Sequence, residues 1–74
     1  MNTQKRNIID WSVVCVNEFA DRFSLDVKTA FKYLYDYGGI DFLQEHYEAE
    51  HTLSFDEAVE DLQLVCKNNG GDLG

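Results

Sequence analysis

Glu48 and His51 have the Glu-x-x-His spacing with which helical bundles hold a carboxylate-bridged pair of metal ions. Such centres use the motif twice, and the sequence contains it once. His46 and His51 are five residues apart, about 140° around a helix, so their imidazoles cannot converge on one ion. His46 is better placed to contact Glu50, one turn later on the same helix. The sequence therefore predicts no metal site and no cofactor.

The candidate nucleophiles are three serines, and none is part of a recognisable catalytic arrangement. Ser12, Ser24 and Ser54 lack a plausible base with an orienting acid. Gly38 and Gly39 follow a predicted helix, whereas a phosphate-binding loop follows a strand. We therefore expect no catalytic residues and a protein that is not an enzyme.

Amphipathic helices must position these side chains, because the apolar residues recur at helical spacing. The pattern predicts helices over residues 7–22, 27–37 and 40–50, and a fourth that begins after Ser54 and ends at residues 68–70. Asp26 is the predicted N-cap of the second helix, and Ser54 with Glu57 forms a capping box. The first helix has an apolar arc of roughly 200° and should be central.

The predicted fold class is therefore all-α, a compact bundle of four short helices in a single domain. A chain of 74 residues is too short for a second domain. We expect a flexible N-terminus over residues 1–6, the helical domain over 7–69 and a disordered tail over 70–74.

The second helix is rich in aromatic residues, and their spacing predicts an outward pair. The residues expected to face the core are Val27, Phe31, Leu34 and Tyr35. Tyr33 and Tyr37 then lie about 140–200° from that stripe, as rigid anchors for a partner or a second copy. Packing of both rings against a loop or a terminus is the structural alternative.

Acidic residues are concentrated in the second half of the chain. Residues 36–61 contain nine acidic residues and no lysine or arginine, a charge of −9, and the remainder carries +1, which gives the net charge of −8. This balance opposes binding to nucleic-acid phosphates, including through a helix-turn-helix formed by the second and third helices. Asp41, Glu45 and Glu48 could instead attract a basic partner, imitate nucleic acid, or only keep the protein in solution.

Two cysteines and the hydropathy pattern bear on the compartment. Cys15 and Cys66 lie among apolar neighbours and are interpreted as reduced core thiols, with one disulfide or a shared metal as the alternative. No apolar run approaches 18 residues, so no membrane span is predicted. Asp10 interrupts the only segment that resembles a signal peptide, and we expect an unprocessed cytoplasmic protein.

The order of short motifs resembles a bacterial family catalogued as domain of unknown function 3791, over roughly residues 8–67. The matching segments are Cys15–Ala20, Ala30–Leu34, Tyr37–Leu43, Tyr47–Glu48, His51–Thr52 and Val59–Leu62. Within them, Tyr47, His51 and Thr52 are the recognisable family motif, and they could simply end the third helix. The family usually has an apolar residue where this chain has Glu50, and a single glycine at the Gly38–Gly39 turn.

The resemblance implies a small, mostly helical bacterial protein without an established activity, in an accessory or antitoxin-like role. We therefore expect a non-enzymatic protein–protein interaction module that binds another protein or itself. Tyr33 and Tyr37 would supply binding energy, and Asp41, Glu45 and Glu48 would supply charge complementarity. The alternatives are an acidic charge mimic that blocks a nucleic-acid-binding enzyme, and a homodimer with a structural role. No direct nucleic-acid or membrane binding is expected.

Overall fold

The computed structural model describes the backbone of residues 3–71 and the side chains of residues 6–71. Within residues 3–71 the chain forms five helices: α1 (Thr3–Arg22), α2 (Val27–Asp36), α3 (Gly39–Glu45), α4 (Tyr47–Glu50) and α5 (Phe55–Asn68). No strand occurs between residues 3 and 71. The predicted all-helical single domain is confirmed, with α1 beginning four residues before the predicted start. The outermost parts of the predicted flexible ends, residues 1–2 and 72–74, lie outside the described residues.

The predicted third helix is in fact two helices that meet at His46. Its backbone has φ −112° and ψ 20°, outside the helical range, yet its amide still donates to the Phe42 carbonyl oxygen at 2.9 Å. The His46 carbonyl oxygen accepts from the Glu50 amide at 2.8 Å, which starts the next helix. The junction contains no glycine or proline to announce it. The continuous helix predicted over residues 40–50 is wrong at this point.

The core lies where α1 meets α2, α3 and α5. The buried hydrophobic residues are Cys15, Val16, Phe19, Ala20, Ala30, Leu34, Leu43, Ala58, Val59, Leu62 and Cys66. Four come from α1 and four from α5, so α1 is central and α5 closes the core, as predicted. Each large side chain buried here contributes about 1.5–3 kcal/mol of transfer free energy.

The N-terminal caps agree with the sequence in position but not in every contact. The Ser54 hydroxyl accepts from the Glu57 amide at 3.2 Å, which confirms the cap of α5. The Glu57 carboxylate accepts from that same hydroxyl at 3.3 Å, whereas the capping box predicts a bond to the Ser54 amide. Asp26 occupies the N-cap of α2 with an extended backbone, but its side chain makes no capping hydrogen bond.

The C-terminal ends of α2 and α5 are joined by one side chain. Gly38 has φ +80°, the left-handed conformation that ends α2. The Asn69 amide Nδ2 donates to the Tyr37 carbonyl oxygen at 2.8 Å, and so satisfies an end carbonyl of α2 from the end of α5. The Gly71 amide donates to the Cys66 carbonyl oxygen at 2.8 Å. Gly71 is buried, so ordered structure extends beyond residue 70, where the predicted tail begins.

Candidate protein-interaction site

Tyr33 and Tyr37 face inward, so the predicted outward pair is wrong. Both rings are half-buried against the core; the Tyr33 ring centroid lies 5.9 Å from that of Phe19 and 5.0 Å from that of Tyr37. A Cβ atom built on Gly71 would lie 2.5 Å from the Tyr33 hydroxyl oxygen, so the C-terminal segment packs on this ring. This geometry matches the structural alternative, in which the tyrosines pack against a terminus. Because both rings pack on the core, their positions do not support a role in partner binding.

The tyrosines face inward because α2 is rotated about its axis, so that a different stripe of residues faces the core than the sequence predicts. The buried residues of α2 are Ala30 and Leu34. Residues 30, 33, 34 and 37 share the i, i+3, i+4, i+7 spacing of a core face. Ala30 is fully buried in this face, and the alternative spacing was the available signal. Leu34 was assigned correctly.

Three members of the predicted core stripe are therefore exposed. Val27, Phe31 and Tyr35 each expose about half or more of their surface, and the Phe31 and Tyr35 rings are stacked with centroids 6.3 Å apart. Ile9 and Val13 of α1 are similarly exposed. All five side chains expose between 49% and 67% of their surface. Single exposed apolar residues are ordinary, but a cluster on adjoining helices marks a contact surface.

An apolar groove of about 250 Å³ lies between α1, α2 and α3 within this cluster. The groove is lined by Ile9, Ser12, Val13, Val16, Val27, Phe31, Ile40 and Gln44. We call this groove together with Tyr35 the apolar face. The Ser12 hydroxyl oxygen is buried here without a hydrogen-bond partner. Concave apolar surfaces with few polar groups are typical binding sites.

The surroundings of the apolar face are close to electrically neutral. Residues 6–35 contain four basic and four acidic side chains. Exposed ion pairs join Arg6 to Asp10 at 3.9 Å and Lys32 to Asp36 at 3.5 Å. Such pairs contribute little stability in water, but they cancel charge locally. The α1 and α2 residues of the apolar face therefore lie outside the acidic segment, whereas Ile40 and Gln44 belong to residues 36–61.

The predicted acidic binding residues are all exposed, but the structure does not group them as one stripe. Asp41 and Glu45 lie on α3, whereas Glu48 lies on α4 beyond the junction at His46. Glu45 and Glu48 line a shallow polar depression of about 360 Å³, and Asp41 does not. The charges are thus spread over the surface rather than focused in one cleft.

The family motif is explained by local contacts. The His51 ring stacks on Tyr47 with centroids 4.4 Å apart, and its Nδ1 lies 2.7 Å from the Tyr47 carbonyl oxygen, which requires a proton on Nδ1. The Thr52 hydroxyl donates to the Ala49 carbonyl oxygen at 2.8 Å. Tyr47 also meets Trp11 edge to face at 5.4 Å. These residues end α4 and hold it against α1.

Glu50 is a buried acidic residue, and its burial was not predicted from the sequence. Its side chain is buried, and its Oε1 has no hydrogen-bond partner. The carboxyl group shares a hydrogen bond with the side chain of Asp61. Burial, the bond to Asp61 and the charges of Asp61 and Glu57 raise the pKa of Glu50 to about 7. Glu50 therefore contacts Asp61 instead of the predicted partner, His46. The centroid of the His46 ring lies 4.9 Å from that of Phe42. The available signal was the apolar residue that the family usually has here.

Both cysteine thiols are free and buried, in agreement with the predicted core thiols. Burial, with the negative charges of Glu50 and Glu18, raises the pKa of Cys15 to about 12. Burial also raises the pKa of Cys66. A thiol with a raised pKa is a poor nucleophile, since the thiolate is the reactive form.

Among the described residues no three metal-ligating side chains converge, so Glu48 and His51 form no such site with a third ligand. The same part of the chain contains no helix long and apolar enough to cross a membrane.

Comparison with known families identifies the family of this chain. The family model described as protein of unknown function (DUF3791) matches residues 10–69. No curated protein and no solved structure matches the chain.

Proposed function

Since the chain belongs to the DUF3791 family of proteins of unknown function, we propose from geometry alone that it is a non-enzymatic protein–protein interaction module. The observation that carries the proposal is the apolar face, with five half-exposed hydrophobic side chains around one groove. Aromatic anchors beside a concave apolar surface are the usual energetic centre of an interface. Phe31 and Tyr35 take the anchoring role that the sequence assigned to Tyr33 and Tyr37.

The chemistry of the potential nucleophiles supports a role without catalysis. Cys15 and Cys66 are buried with raised pKa values, and the Ser54 hydroxyl serves as a helix cap. The proposal includes a location in the cytoplasm, which the two free thiols support. An accessory role beside a larger protein fits a module of this kind.

A quantitative capture experiment with matched variants tests the proposal. Tagged wild-type protein, Phe31→Glu and Leu64→Glu are incubated with extract of the native host that also contains an untagged copy of this chain. Leu64 is a matched control because it is a large hydrophobic residue on α5, 57% exposed and outside the groove. We expect wild type and Leu64→Glu to recover a partner protein in a fixed ratio to the tagged protein. Phe31→Glu should not recover it. Equal recovery with both variants would contradict the proposal.

A second candidate function is an acidic mimic of nucleic acid, which the exposed carboxylates of Asp41, Glu45 and Glu48 support. Recognition would then be electrostatic, and it would weaken steeply as salt screens the charges. The same capture at low and high salt separates the two functions. Recovery that is lost at high salt and unaffected by Phe31→Glu would favour the mimic.

A further inference from the structure

We infer that the occupant of the apolar face is a second copy of this chain, docked by a two-fold contact of α1 and α2 on each copy. This inference rests on the interaction role proposed above and names the partner of that surface. Three features of the apolar face carry it: its area, its charge and its shape.

The exposed apolar area is close to what a dimer of this size needs. The five half-exposed side chains together offer on the order of 500 Å², since an aromatic side chain offers roughly 150–250 Å² when fully exposed and valine and isoleucine offer less. Two copies would therefore bury about 1,000 Å² of side-chain surface, before the flanking polar residues are counted. This area lies at the lower limit of specific interfaces, so we expect a weak and reversible dimer.

The charge distribution favours this face over the others for self-association. Each copy carries a net charge of −8, and residues 36–61 hold −9 of it. Two copies that met through α4 or α5 would bring those charges together. Residues 6–35 are balanced, with four bases and four acids. Contact centred on α1 and α2 therefore keeps most of the acidic side chains of α4 and α5 apart, although Ile40 and Gln44 of α3 also line the groove. Screening by salt should strengthen the dimer, because each copy is acidic.

A two-fold interface requires a self-complementary surface, and the apolar face has both a groove and an exposed ring beside it. Phe31 lines the groove, and Tyr35 lies one turn further along α2, outside the groove, with the most exposed ring of the cluster. A projecting ring next to a groove on the same surface lets each copy insert its Tyr35 into the groove of the other. The Ile9 and Val13 side chains then cover the inserted ring.

Sedimentation of the untagged protein tests the inference. Wild type, Tyr35→Glu and Leu64→Glu are measured from about 1 to about 500 µM, at low and high salt. We expect a monomer–dimer equilibrium for wild type and Leu64→Glu that tightens at high salt. Tyr35→Glu should weaken the dimer at least tenfold, because it buries a charge in an apolar groove. Tyr35→Phe should keep the dimer, and Tyr35→Ala, which removes the ring without adding a charge, should weaken it, which separates loss of contact from added charge.

Circular dichroism first establishes that each variant is folded, as expected for changes at exposed positions. A wild type that stays monomeric at every concentration and salt would overturn the inference, and so would a dimer that weakens with salt or is lost only in Leu64→Glu. These results leave the proposed function standing if the capture experiment still yields a protein whose recovery depends on Phe31. The two ideas therefore fail separately.

Discussion

Replacing Glu50 by glutamine should stabilise the protein at alkaline pH and not at acidic pH. The two side chains have the same shape, but glutamine has no proton to lose. Glu50 is buried with a pKa raised to about 7 by desolvation and by its contact with Asp61. At pH 8.5 the folded wild type must therefore hold a buried carboxylate beside other acids, whereas the variant holds a neutral amide.

The magnitude follows from proton linkage. The ordinary pKa of the Glu50 carboxyl group is 4.5, and the difference from about 7, at about 1.36 kcal/mol per pH unit, corresponds to about 3 kcal/mol. Between these values the folded state binds more protons than the unfolded state, so the free energy of unfolding falls as pH rises. The loss is complete above pH 7 and absent below pH 4.5. In a domain of this size, 3 kcal/mol changes Tm by roughly 10–20 °C.

Urea unfolding at a single low protein concentration, from pH 4.5 to 8.5, measures this effect. The difference between Glu50→Gln and wild type should grow from near zero at pH 4.5 to about 3 kcal/mol at pH 8.5. Glu45→Gln is the matched control, because it removes the same formal charge from an exposed position on α3. We expect it to change the free energy of unfolding by less than about 0.5 kcal/mol.

Two results would refute this reasoning about Glu50. One is a difference between Glu50→Gln and wild type that does not depend on pH. The other is a control, Glu45→Gln, that reproduces the whole effect, since the cause would then be net charge and not burial.

Three further predictions concern the cap, the core and the thiols. Urea unfolding of Ser54→Ala should show a free energy of unfolding about 1 kcal/mol lower than wild type. Asp26→Ala should change it by about 0.3 kcal/mol at most, because the Asp26 side chain makes no capping hydrogen bond. Tyr33→Ala should lower the free energy of unfolding by about 3 kcal/mol in the same assay, since its ring packs on the core. A change of less than about 0.5 kcal/mol would indicate that the ring is exposed. Cys15 and Cys66 should react with a thiol reagent at pH 8 only at the rate of protein opening, and rapid labelling of the native protein would contradict their burial.

The sequence was sufficient for the helical class because long amphipathic segments carry a strong period. α1 and α5 are the clearest examples: their apolar faces and the Ser54 cap are local properties, and the structure agrees with them. The side of α2 that faces the core was predicted wrongly because aromatic residues occupy every second position from 31 to 37. With large rings on both sides, hydrophobicity alone does not select a face. The choice depends on which side of α2 is covered by the other helices, where Ala30 is fully buried, and this is a tertiary property.

The candidate site escaped prediction for related reasons. The apolar face combines side chains from helices that are distant in sequence, such as Ile9 and Phe31, and no local pattern places them together. The break at His46 has no glycine or proline to signal it. Glu50 lies in an acidic segment, so its charge suggested exposure, although the residue that the family usually has at this position is apolar.

The edge-to-face pair of Trp11 and Tyr47 gives the protein an internal optical reporter. Trp11 is the only tryptophan of the chain, and its ring lies where the shortest helix rests on the longest. Its fluorescence emission therefore follows the detachment of α4, while far-ultraviolet ellipticity follows the helices as a whole. Coincident transitions would indicate that α4 opens only with the entire domain, and an earlier change in emission would identify α4 as a separately opening unit.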